Sequence, residues 1–255
     1  MNRRDTLIAL SALSSLGLAR AEPAARAPRY GVLSAIGREL GIITYLTSTD
    51  SRVKPNDRRT VTLDEDLFDL EALRMIQTGV QKSTPDAGKV MLYVNHDAEL
   101  ARHPETLFDH EQLVLPDALL QPMVADGVER LLLLTRHRRT ADLQAHHASV
   151  GAGMLEGLGY YVDYSKRMRR NDTGEVGRGY IAPYVYLRLT LVDLPRRAVL
   201  REQMVDISTT LSAARSKADN ADPWATLTSQ QKVDHLVRMM DHQLAETLPQ
   251  LLAAG

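Results

Sequence analysis

The apolar positions of this sequence change period along the chain, and the changes divide it. Residues 7–18 are an unbroken weakly polar to apolar run behind Arg3 and Arg4 and ahead of Ala19-Arg20-Ala21. Between residues 29 and 45, Val32 and Ile36 lie on one side of Gly37-Arg38-Glu39, and Leu40, Ile42 and Ile43 on the other. That pattern predicts a β-hairpin turning at Gly37. Residues 47–60 are polar and rich in turn formers, which predicts an exposed loop. Leu67, Leu70, Leu73 and Val80 then recur at helical spacing behind Asp64-Glu65-Asp66. This predicts a helix over 64–82 whose acidic start suits the positive end of its dipole. Residues 89–94 read as a short strand, and 95–114 have no clear period. Pro116 and Gly127 bracket a second helix. Leu131, Leu132, Leu133 and Leu134, just past its stop, predict a buried strand.

The second half has the period of strands. Residues 154–166 and 179–193 are long enough for extended β-structure. Val185, Leu187, Leu189 and Leu191 alternate with Tyr186, Arg188, Thr190 and Val192, which predicts one buried and one wetter face. Residues 167–178 make the turn between them, and a third strand over 199–211 completes an antiparallel meander. A polar linker, 212–225, leads to a last helix over 229–252. Its stripe of Val233, Leu236, Met240, Leu244, Leu248 and Leu251 is of the kind that packs on a sheet. The expected fold is mixed α/β: a single mixed sheet with an antiparallel meander in the C-terminal half and helices packed mainly on one face. It fills 30–255 as one domain.

The first residues fit a different purpose. A positive start, an apolar run and an A-x-A site followed by Glu22-Pro23 are the parts of a secretory signal, in order. The run is short of the roughly 20 apolar residues that span a bilayer. Residues 1–21 are therefore read as a signal peptide and 22–29 as a flexible lead-in. The Arg3-Arg4 pair with Leu7 and Ile8 resembles a twin-arginine signal, so either that route or the general secretory one is expected, to the periplasm or beyond. Removing 1–21 takes away Arg3, Arg4, Arg20 and Asp5 and leaves 28 basic and 31 acidic residues, a charge of -3. Such a balance gives no electrostatic case for nucleic acid. The chain has no cysteine, which excludes thiolate zinc sites, thiol nucleophiles and disulfide staples.

Candidate chemistry is sparse. There is no H-E-x-x-H, no G-x-S-x-G elbow and no phosphate-binding lysine loop, and no cofactor is expected. Gly151, Gly153 and Gly157 are spaced one residue too long for a dinucleotide fingerprint. His96, Asp97, His103 and His110 could gather around a metal in a hydrolase or metal-dependent enzyme, or could be solvated loop residues. Residues 151–186 hold seven glycines and six of the nine tyrosines. Tyr160, Tyr161, Tyr164, Tyr180 and Tyr184, with Arg167, Arg169 and Arg170 at the turn, form a candidate binding surface, tyrosine offering a flat apolar ring with a polar tip. The other reading is a sheet face that carries tyrosine as a good strand former.

The step from Gly127 into Leu131–Leu134, and the strand of residues 184–193 turning through Pro195-Arg196, resemble periplasmic α/β domains. These are domains like the curli-secretion lipoprotein family and the amino-terminal domain of the Tol-system propeller protein. The chain is also similar to uncharacterised exported proteobacterial proteins. The resemblance covers about residues 116–211. It implies an exported, non-enzymatic protein that binds an envelope protein, lipid headgroup or cell-wall component, or takes part in envelope assembly.

Overall fold

The computed structural model describes residues 26–46, 56–145, 148–169, 174, 176–212 and 222–253. The signal read at 1–21, part of the 167–178 turn and most of the 212–225 linker lie outside the described residues. In chain order the elements are β1 (Tyr30–Ala35), β2 (Glu39–Tyr45), β3 (Asn56–Thr62), α1 (Leu67–Ser83), β4 (Met91–Val94), α2 (Ala98–Arg102), β5 (Phe108–Asp109), β6 (Gln112–Leu113) and α3 (Asp117–Ala125). There follow β7 (Arg130–Arg136), β8 (Arg138–Thr140), β9 (Leu143–Ala145), β10 (Ala148–Val150), β11 (Met154–Arg169), β12 (Val176–Asp193), β13 (Ala198–Ser208), β14 (Leu211–Ser212) and α4 (Ser229–Leu252).

Among the described residues twelve strands join one mixed sheet, and β9 pairs with β10 apart from it. The spine is β12. β13 lies antiparallel along one side of it. Along the other side lie first β11 and then β7, so the sheet forks there. One branch continues from β7 through β1 to β4, with β1 parallel to both neighbours. The other continues from β11 through β2, parallel to it, to the antiparallel edge strand β3.

This topology corrects two expectations. β1 and β2 are not a hairpin: each lies in a different branch, and residues 36–38 step across the fork. Both strands are apolar, so each is held between two other strands, and the turn residue Gly37 carries no information about pairing. The loop expected over 47–60 is, in its described part, the start of β3; a polar, exposed run can still pair when it is an edge strand. The antiparallel β11–β12–β13 meander is as expected.

Both faces of the sheet are covered. On one, Phe68, Leu73, Ile76 and Val80 of α1 and Leu236, Met240, Leu244, Leu248 and Leu251 of α4 pack on Val32, Leu132, Leu134 and the row Val185, Leu187, Leu189, Leu191. On the other, Leu120 and Met123 of α3, with Leu107 and Leu113, cover Leu33, Leu131 and Leu133. Further along that face, Leu143 of the β8–β10 strap covers Tyr161, Tyr180, Tyr184 and Tyr186. Helices thus lie on both faces, and the expected wet face of β12 is covered as well: Tyr186, Thr190 and Val192 are buried. Each aliphatic side chain so enclosed contributes about 1.5–3 kcal/mol, and such double coverage holds the fold without disulfides. The α4 start is fixed by a capping box between Thr228 and Gln231. Lys232, buried beside it, donates to the Leu227 carbonyl at 2.5 Å and lies 4.1 Å over the Trp224 ring. No helix among the described residues is long and apolar enough to cross a membrane.

Candidate functional site

The fork creates a recess. β1, β4 and β7 run parallel and end together, and the chain leaves β1 toward the other branch while α1 and α3 return on opposite faces. Crevices at the carboxyl ends of parallel strands, where connections diverge, are where α/β sheets bind ligands. Here the crevice has a volume of about 300 Å³, lined by residues 37–39 of the crossover, 95–98 after β4, Ala101 and Arg102 of α2, Thr62, Asp66 and Arg136.

Its floor is held by a buried carboxylate and a buried guanidinium. Asp69, in the first turn of α1 and fully buried, accepts the N–H groups of Ile36 and Gly37, each at 2.9 Å. Burial pushes its pKa above the usual carboxylate value, although these hydrogen bonds oppose the shift. Gly37 has φ +74°, and a Cβ there would lie 2.6 Å from the Ala101 Cβ, so the crossover needs glycine twice over. Arg136, at the end of β7, is only 10% exposed. Its Nε donates to the Ile36 carbonyl at 2.6 Å, its Nη2 to the Glu39 carbonyl at 3.0 Å, and its Nη1 to the Glu39 carboxylate at 3.4 Å. One side chain thereby closes the fork.

The walls are ion pairs. Arg102 Nε donates to Glu39 at 2.8 Å and its Nη1 to Glu99 at 2.7 Å. Burial raises the Glu39 pKa, but Arg102 and Arg136 outweigh it and hold the carboxyl below its usual value. Arg38 Nε donates to Asp66 at 2.6 Å, and the other Asp66 oxygen lies 3.4 Å from His96 Nδ1. Asn95, 5% exposed, both donates to the Asp97 carbonyl and accepts the Asp97 N–H. Asp97 in turn caps α2 by accepting the Glu99 N–H at 2.9 Å. The recess is therefore preformed: Arg38, Arg102, Arg136, Glu39, Asp66 and Asp97 line it, with Glu99 paired to Arg102 beside them and Asp69 beneath.

The residues expected from the sequence fall elsewhere, with two exceptions. Of the proposed metal set, His96 and Asp97 line the recess. His103 instead faces Glu105 at 3.1 Å, and His110 projects into solvent beside Asp109. The four do not converge, because α2 and the following turns carry them to different sides. Among the described residues no three His, Asp or Glu are grouped to hold a metal ion. The tyrosine surface is corrected too: Tyr160, Tyr161, Tyr180 and Tyr184 are interior. Tyr160 donates to the Lys232 carbonyl at 2.7 Å and meets Trp224 edge-on. Tyr161 and Tyr180 stack at 6.2 Å. Only Tyr164 and Arg167 are exposed; the side chain of Arg169 and all of Arg170 lie outside the described residues.

Sequence reading missed Arg38, Glu39, Asp66, Asp69, Arg102 and Arg136. One signal was present. Asp69 occupies the apolar face of its helix with Phe68, Leu73, Ile76 and Val80, and a carboxylate at a core position demands partners.

No protein-family model and no curated protein matches the chain. Several solved bacterial structures are similar to it at low sequence identity. A Helicobacter pylori protein designated a neuraminyllactose-binding hemagglutinin homologue is 8% identical with a TM-score of 0.40, over 90% of this chain and 85% of that one. A Xanthomonas campestris protein of the DUF330 family is 8% identical with a TM-score of 0.33, over 89% and 82%. A hypothetical protein from Chlamydia trachomatis is 11% identical with a TM-score of 0.34, over 88% and 99%. At these values the likeness carries no argument about ligand or partner.

Proposed function

We propose that the chain is an exported, non-enzymatic protein of the bacterial envelope that binds a partner there, as the resemblance to curli-secretion and Tol-system domains implies, and that it does so through the recess at the fork rather than through the tyrosine hairpin. The observation that carries this is the Arg136–Glu39–Arg102 network. It fixes a concave, charged site in place before anything binds, which limits the ordering cost of association. The export signal read at residues 1–21 supplies the compartment.

The test joins location to site. In fractionated cells the mature chain is expected in the periplasm with Glu22 at its amino terminus. An envelope component is expected to copurify with it. Ala98→Trp, which fills the recess from its small apolar wall, is expected to abolish that copurification. Val124→Trp, on exposed α3 surface, is expected to leave it intact. Retention in the cytoplasm with the leader attached, or copurification indifferent to Ala98→Trp, contradicts the reading.

A further inference from the structure

We propose that the ligand group received by the recess is a small zwitterion, the size of a dipeptide. This rests on the reading of the recess as a binding site and adds the chemistry it selects.

The argument starts from which polar atoms remain available. Arg38 uses Nε on Asp66 and Nη1 on the Asp64 carbonyl. Arg102 uses Nε on Glu39 and Nη1 on Glu99. Among the described residues neither Nη2 has an acceptor, and the two side chains are 45% and 47% exposed. They form a donor pole suited to a carboxylate, which arginine binds through paired N–H groups. Glu39 and Asp66 are already occupied by those arginines. Asp97 is not: one oxygen caps α2, and among the described residues the other has no donor. It is the acceptor pole, suited to an ammonium.

Charge and spacing then select the ligand. A zwitterion meets a complementary group at each end, the free Nη2 groups at one and the free Asp97 oxygen at the other. Asp97 and Arg102 flank the single turn of α2. At about 1.5 Å rise per residue their backbones are separated by about 7.5 Å along the helix. Two extended residues span about 7 Å, a length of the same order as that separation. Between the poles the wall is small and apolar, made by Gly37, Ala98 and Ala101, which leaves room for short side chains. A volume of about 300 Å³ stands at the lower end of ligand pockets.

Calorimetric titration of the mature protein with alanyl-alanine, its N-acetyl form and its carboxamide tests this. The zwitterion is expected to bind at least tenfold more tightly than either blocked form. Asp97→Asn is expected to weaken the zwitterion and the carboxamide and to spare the N-acetyl form. Arg38→Gln is expected to do the reverse. Equal binding of all three probes, or no binding by a protein whose melting temperature shows it folded, overturns the assignment. If no probe binds while Ala98→Trp still abolishes envelope copurification, the zwitterion assignment fails and the binding reading stands. If alanyl-alanine binds but copurification ignores Ala98→Trp, the ligand chemistry stands and the partner reading fails.

Discussion

Arg136 is the residue on which the site depends most. It satisfies two backbone carbonyls of the crossover and one carboxylate, and it does so from a position with little solvent. Removing one partner from such a buried arrangement costs about 3–5 kcal/mol. Glu39 keeps Arg102, so Arg136→Met is expected near the lower figure, read from the denaturant midpoint. The pH dependence follows from signs. The folded pKa of Glu39 lies below the usual carboxylate value of 4.5, so its contribution is present above that value and is lost as pH falls through the folded pKa. Asp69 acts oppositely: its folded pKa is raised, so its contribution is complete when protonated and declines as pH rises through that pKa. In Arg136→Met the loss of stability below about pH 4.5 is expected to be shallower than in the parent, because Glu39 then loses part of what lowers its pKa. An unchanged acid limb contradicts the assignment of Glu39 to this network. None of these pairings could be read from sequence, since Arg136 and Glu39 stand in separate segments and only the fork joins them.

At the scale of elements, local pattern was informative wherever an element is decided by its own residues. The helix at 229–252 carries its apolar stripe and its Thr228–Gln231 cap in the sequence, and α4 has those bounds. The run of leucines after Gly127 is the buried strand β7. Pattern failed where pairing decides. β1 and β2 have the look of a hairpin, but their partners come from residues 56–62, 91–94, 130–136 and 159–163, which no local signal identifies. The tyrosines are hidden for a related reason: Leu143 of the strap covers Tyr161, Tyr180, Tyr184 and Tyr186, and α4 with Trp224 covers Tyr160 on the opposite face, and the hairpin's own residues announce neither cover. Glycine spacing did hold a clue. Gly41 and Gly159 face each other across β2 and β11, and the Tyr184 ring lies over both. A Cβ on Gly159 would press on the Gly41 carbonyl and stand 2.7 Å from Tyr184 Cζ. Gly159→Ala is therefore expected to destabilise by about 1–3 kcal/mol, the usual cost of overpacking, measured by urea unfolding. A neutral result would mean the two strands separate more easily than their register allows.

For the whole molecule, the fork is what converts a sheet into a site. β12 holds two branches together, and the step from β1 to β2 leaves a gap that charged residues line and Arg136 closes. Compartment and partner are proposals at this scale, and both meet at the recess. The most direct measurement is photo-crosslinking in intact cells, with the probe placed in turn at Ala98 in the recess and at Arg167 near the tip of the tyrosine hairpin. The account predicts a discrete envelope adduct from Ala98 and none from Arg167. An adduct from Arg167 alone, with Ala98 silent, would return the binding surface to the hairpin and contradict the central claim.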